Sequence, residues 1–235
     1  MINQADLKDS LPDITSPVNI TGLSSSVEIY RDRYGIPHIQ AKTVEDAFLG
    51  QGFATAQDRL WHMDYDRHRA YGRWAELAGP AGLEQDLVMR RFWLGASAEG
   101  DYELLDQETR TMLDTYAAGV NAFINSTKHL PVEYRLVDVA PEKWQPWDCL
   151  AVFKVRHIFM GVFESKLWRA RLVNHLGPEK AAALLPGYQE GQLVIMPPGA
   201  TYDGPAFSGL EELIRGAEAI NWLSESDAGS NNWVL

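Results

Sequence analysis

The chain is poor in cysteine and in positive charge, and it has no long apolar run. One cysteine, Cys149, stands among 235 residues, which excludes an internal disulfide framework and suits a small buried hydrophobe better than a reactive thiol. Lys and Arg number 21 against 32 Asp and Glu, giving a net charge of −11. A phosphate backbone needs a basic face, so this balance argues against a nucleic-acid partner. No stretch reaches the roughly 18 apolar residues of a membrane-spanning helix, so no membrane partner is expected. Residues 1–10 are polar and lack the apolar segment of a secretory signal. Two readings follow: a cytoplasmic protein, or an exported one whose signal has been removed.

What the chain does have is material for a core. With 46% hydrophobic residues, including eight Trp, nine Tyr and eight Phe, it can bury a substantial interior as one structural unit. Residues 27–30 and 37–40 read as two short strands around a turn at Tyr34-Gly35. Thr43, three residues before Asp46, forms a near capping box and opens a long helix that runs toward Tyr71 and stops at Gly72. Met112, Leu113, Tyr116, Ala117, Val120, Phe123 and Ile124 recur at helical spacing, so another amphipathic helix follows Leu105. Pro141, Trp144, Pro146 and Trp147 make a rigid connection into a helix expected from Trp147 through Phe163. Between Gly187 and Gly209, Pro and Gly clusters predict a loop-like stretch.

One pattern invites a metal. On the first long helix His62 with Asp66, and Asp64 with His68, are i,i+4 pairs that could each place two ligands on an ion. The two pairs lie on different faces and cannot grip one ion together, so ordinary charge pairing on the helix is the preferred reading.

The most chemically suggestive segment is the last, Gly229-Ser230-Asn231-Asn232-Trp233. A Ser hydroxyl needs a base, and a Ser freed at a chain start carries its own. Its α-amine has an ordinary pKa of roughly 7.7–8.0 and can take the hydroxyl proton near neutrality. Gly229, without Cβ, would let that hydroxyl approach the preceding carbonyl. Taken alone, residues 227–231 read equally well as a polar turn leading into a strand.

Three further blocks, in order along the chain, bear on the choice. Residues 31–39 (RDRYGIPHI) are similar to a D-x-x-G-I/V-P-H-I/V hairpin. Residues 52–64 (GFATAQDRLWHMD) look like a G-x-x-x-A-Q-D-R-L-x-x-M-[DE] helix, and 72–79 (GRWAELAG) like a G-R-[LW]-[AS]-E-x-x-G turn. Weaker echoes lie at 116–123 (YAAGVNAF) and 167–172 (LWRARL). With the Gly-Ser-Asn-x-Trp end, these blocks resemble the penicillin acylase family of N-terminal nucleophile hydrolases over nearly the whole chain.

The resemblance implies an α+β fold. This part would be mainly helical with a few strands, belonging to an αββα sandwich completed by a second subunit. It divides the chain into an alpha-subunit-like region, 1–190, a loop-rich region and spacer, 191–229, and the start of the beta-subunit-like region, 230–235. It implies self-cleavage between Gly229 and Ser230, with Ser230 then the catalytic nucleophile on N-acyl amides and no catalytic cofactor. Phe159, Met160 and Phe163 match by region the side chains that close the acyl pocket. The Arg that the family places before the aromatic is absent, with Val162 there instead. Glu164 falls where relatives place a carboxylate on a structural calcium. The expected partner is the chain's own second subunit, without which this piece would be inactive, and export to the periplasm or beyond is implied. Two alternatives stand: an acyl-homoserine lactone or lipopeptide acylase of the same family, or a non-catalytic helical binding module.

Overall fold

A computed structural model describes residues 2–160, 163–186 and 209–220. The chain divides into two compact units, residues 1–156 and 157–235. In the first unit a short helix α1 (Gln4–Asp9) precedes a hairpin of β1 (Glu28–Arg31) and β2 (Pro37–Gln40). Then come α2 (Val44–Ala70), α3 (Ala75–Ala78), a 3-10 turn (Gly79–Gly82), α4 (Leu83–Phe92), α5 (Leu94–Leu104), α6 (Gln107–Ser126) and α7 (Val132–Val137). Helix α8 (Asp148–Met160) crosses the boundary, and α9 (Phe163–Leu176), α10 (Pro178–Leu184) and α11 (Leu210–Ile220) follow. The described chain is mainly helical with one two-stranded sheet.

The hairpin forms where alternation and turn chemistry predict it. Tyr30 pairs with His38 and Ile29 with Ile39 in antiparallel register. Asp32 closes the turn by accepting from the Tyr34 and Ile36 amides at 2.8 and 3.0 Å, and Gly35 takes φ +78°. Helix α2 begins at the expected cap: the Thr43 hydroxyl accepts from the Asp46 amide at 3.1 Å. Asp46 itself accepts from the amides and hydroxyls of Ser24 and Ser25, the shortest from Ser24 Oγ at 2.6 Å. The Ser24 hydroxyl, foremost among these donors, holds the Asp46 carboxyl down at about 2. The acidic cap partner thus also pins the preceding segment. At the other end Gly72, φ +61°, lets the chain turn against α4, where a Cβ would meet the Asp86 carbonyl oxygen at 2.8 Å.

The core sits where α2 crosses α6. Phe53, Ala56, Leu60 and Met63 recur on one face of α2 and meet Ala117, Val120 and Phe123 of α6, with Tyr134 and Trp144 closing the cluster. Phe53 and Phe123 pack edge to face at 5.5 Å, and Trp61 and Tyr134 at 5.1 Å. Cys149 is half-buried beside this cluster and accepts from Trp144 Nε1 at 3.4 Å. Burial pushes its thiol up to about 11, as befits a packing residue. Of the helix expected from Trp147 through Phe163, α8 covers Asp148–Met160 and Phe163 is the first described residue of α9, residues 161 and 162 lying outside the described ones. In the second unit Leu210, Ile214, Ala217 and Ile220 form the buried stripe of α11, and Arg171 reaches Glu211 at 3.3 Å. A helix therefore lies inside the stretch read as loop-rich, while residues 187–208 fall outside the described ones.

Candidate functional site

The family-like blocks come together as a scaffold. Arg31 of β1 donates to Asp58 at 2.8 Å and to Gln57 at 2.8 Å, and Gln57 in turn donates to the Asp13 carbonyl at 2.9 Å. The Gln57-Asp58 step therefore ties hairpin, helix and N-terminal segment together. At the next residue, Arg59, α2 leaves helical geometry (φ −140°, ψ 16°). Asn121 exchanges two 2.8 Å hydrogen bonds with the Trp144 backbone, which seats the Trp144 ring in the core. Arg73 spans Glu76 and Glu142, while Asp86 accepts from the Trp74 and Ala75 amides at 2.8 and 2.7 Å, capping α3.

Below this scaffold lies a buried polar network that sequence reading missed. Asp64 Oδ1 receives Arg67 Nε at 3.0 Å and Nη2 at 2.5 Å, and Asp64 Oδ2 receives the Tyr134 hydroxyl at 2.9 Å. Arg67 extends to Asp148 at 3.3 Å, and Asp148 also accepts the Tyr71 hydroxyl at 2.7 Å. His68 Nδ1 donates to the Asp64 carbonyl at 2.8 Å. Burial works against the Asp64 charge, but His68 and Arg67 outweigh it and its carboxyl is lowered. Burial likewise disfavours charged His68, yet its bonds to Asp64 leave the imidazole raised. The phenols of Tyr134 and Tyr71 are driven up, first by burial and then by their carboxylate partners. These groups satisfy one another, so the network braces α2, α7 and α8. Its one sequence signal was that the charges of residues 64–69 fall all round the helix, so some had to be buried.

The i,i+4 pairs do not converge on an ion. Asp64 is committed to Arg67 and Tyr134, and Asp66 to Arg156 of α8 at 2.6 Å. Among the described residues no group of three or more His, Cys, Asp or Glu could hold a metal. Nor, among them, is any helix long and apolar enough to cross a membrane.

Phe159 and Met160 end α8, and Phe163 and Glu164 begin α9. Their side chains, and all of Gly229 and Ser230, lie outside the described residues. A separate apolar cavity of about 280 Å³ opens between α2, α6 and α8, lined among others by Phe48, Met63, Met112, Tyr116, Trp144 and Val152.

The penicillin amidase family model matches residues 26–235, from just before the hairpin across the Gly229-Ser230 step. The chain belongs to the penicillin amidase family. Among its relatives, penicillin acylase 2 proenzyme of Pseudomonas sp. (strain SE83) is 37% identical over 97% of this chain and 30% of its own length. Acyl-homoserine lactone acylase QuiP of Pseudomonas aeruginosa is 33% identical over 97% of this chain and 28% of its own. The solved thermostable penicillin G acylase from Alcaligenes faecalis superposes with a TM-score of 0.57 at 29% identity, covering 74% of this chain and 98% of that one. The chain thus spans about 30% of the length of the curated relatives it matches. Both echoes outside the three blocks also do structural work. Asn121 is the Trp144 clamp, and Arg169 caps the end of α10, donating to the Leu185 and Pro186 carbonyls at 2.8 and 2.9 Å.

Proposed function

We infer that this chain is the front part of a self-processing amide hydrolase that acts on N-acyl compounds through an acyl-enzyme on Ser230. The observation that carries the reading is the family match, which spans residues 26–235 and so takes in Gly229 and Ser230. The relative that is 37% identical is by name a proenzyme, and this chain spans 30% of it.

In the precursor the Ser230 hydroxyl attacks the Gly229 carbonyl carbon. The acyl group passes from nitrogen to oxygen, and water opens the resulting ester to leave a Gly229 carboxylate and a free Ser230 amine. That amine then takes the hydroxyl proton as Ser230 attacks a substrate amide. The amine product leaves with a proton, and a second water releases the acid. The developing oxyanion needs fixed donors, which the reading assigns to the rest of the protein, the second subunit that also completes the αββα sandwich. Phe159, Met160 and Phe163 would supply this chain's share of the acyl pocket. Glu164 would lend one carboxylate to a structural calcium, which takes six to eight oxygens and so draws most of them from elsewhere.

The experiment is expression of the full-length precursor. Mass spectrometry should find a new N-terminus reading Ser-Asn-Asn-Trp, and Ser230→Ala should remain a folded, inactive single chain. An active enzyme that stays one chain, or that begins at another residue, would overturn the assignment. The likeness to acyl-homoserine lactone acylases favours a second substrate class. Turnover of phenylacetyl, glutaryl and long-chain acyl amides compared side by side separates the two.

A further inference from the structure

Asp66 is a buried carboxylate that the Asp64 network does not use. Residues two apart on a helix face different ways, and while Asp64 meets Arg67 and Tyr134, Asp66 meets α8. It is 2% exposed, and its Oδ2 receives both Nε and Nη2 of Arg156 at 2.6 and 2.5 Å. Among the described residues its Oδ1 has no hydrogen-bond partner. Arg156 Nη2 also donates to His62 Nε2, so the guanidinium is held from two positions one turn apart on α2. Buried Arg69 lies close enough that Asp66 helps to offset the burial of its charge.

This arrangement is costly if only adhesion is needed. A buried carboxylate with one oxygen unsatisfied is a poor substitute for an apolar side chain, and α8 already buries Ala151 and Val155 fully in the same unit. What an Arg–carboxylate contact adds is direction, because the planar guanidinium fixes the angle as well as the distance. Phe159 and Met160 follow Arg156 by three and four residues in the same helix, roughly 4.5–6 Å along its axis.

We propose that Asp66, acting through Arg156, is a positioning residue that sets the C-terminal turn of α8 and thereby the acyl-group preference of the enzyme. The proposal rests on reading Phe159 and Met160 as acyl-pocket residues.

The test uses the full-length protein as wild type, Asp66→Asn, which keeps the shape without the charge, and Arg156→Lys, which keeps the charge without the fork. Amide hydrogen exchange at residues 157–160 should rise about tenfold in both variants while exchange in α6 stays unchanged. The ratio of kcat/KM for a phenylacetyl amide to that for a decanoyl amide should shift about threefold or more, carried by KM. Unchanged exchange at 157–160, an increase spread evenly over the unit, or an unchanged ratio in an active enzyme would overturn the proposal. A wild type that hydrolyses no N-acyl amide would instead overturn the functional reading, and the specificity half of the proposal with it. The exchange result would then still decide whether Asp66 holds the end of α8. Should Asp66→Asn fail to fold, the Asp66→Leu/Arg156→Leu pair, which leaves no buried charge, should fold and show the same two changes.

Discussion

Gly52 and Gly119 make the α2–α6 crossing through mutual absence of side chains. A Cβ on Gly52 would lie 2.0 Å from the Tyr116 carbonyl oxygen, and one on Gly119 would lie 2.0 Å from the Leu49 carbonyl oxygen. Each clash is with backbone, which cannot swing away as a side chain can. The two helices thus approach closely enough for Phe53 to meet Phe123 and for the core to close.

Either glycine replaced by alanine should therefore force the helices apart. Overpacking a tight core costs about 1–3 kcal/mol and here should reach the top of that range or beyond. Urea unfolding of Gly52→Ala and Gly119→Ala measures it. A loss under about 1 kcal/mol, the propensity gain of Ala over Gly in a helix included, would show that the crossing relaxes freely.

The Asp64 network should be unforgiving of single changes. Asp64→Ala takes the closest acceptor from buried Arg67, leaving it Asp148 and the Lys143 carbonyl, and strands the Tyr134 hydroxyl; removing one partner of a buried pair costs about 3–5 kcal/mol. The double variant Asp64→Leu/Arg67→Met should recover part of that loss, because the stranded guanidinium is gone, but only part, because buried Asp148 loses its cation and keeps the Tyr71 hydroxyl and the Gln145 amide. A double variant less stable than Asp64→Ala would mean that the network does more than satisfy itself.

Stability should carry the signature of the Asp64–His68 pair in its pH dependence. His68 is raised above its ordinary 6.5, so its contribution is whole below that pH and is lost as pH climbs through the raised folded value. Asp64 is lowered from 3.8, so its contribution is whole above that pH and is lost as pH falls through the lowered folded value. Both act fully between about pH 4 and pH 6.5. The melting-temperature gap between wild type and His68→Gln should be wider at about pH 5.5 than at about pH 9, and an equal gap at both would discount the pair.

On the functional reading, the 235-residue chain by itself should hydrolyse no phenylacetyl, glutaryl or long-chain acyl chromogenic amide above background. On that reading the peptide bond before Ser230 masks the amine, and the oxyanion donors would come from the second subunit. Clear turnover abolished by Ser230→Ala would show that this piece suffices.

Local chemistry was enough to read the start of α2 at Thr43, its stop at Gly72, the turn at Gly35 and the core face of α6. A cap, a left-handed glycine and a 3.6-residue period are each written within a few neighbouring positions. The family blocks were legible too, though not the work they do: Gln57 and Asp58 hold Arg31, and Asn121 clamps Trp144. Asp46 and Asp66 show where such reading ends. Asp46 reads as a cap partner, yet its carboxylate goes to serines more than twenty residues away. Asp66 reads as half of a surface i,i+4 pair with His62, yet it is buried against an arginine 90 positions on. A charge's worth depends on how much water surrounds it and which opposite charge the fold brings near, and neither quantity is local in sequence. Sequence alone determined α2, α6, the start of α8, the hairpin and the family. Only tertiary packing decided which carboxylates brace the core and which one reaches α8.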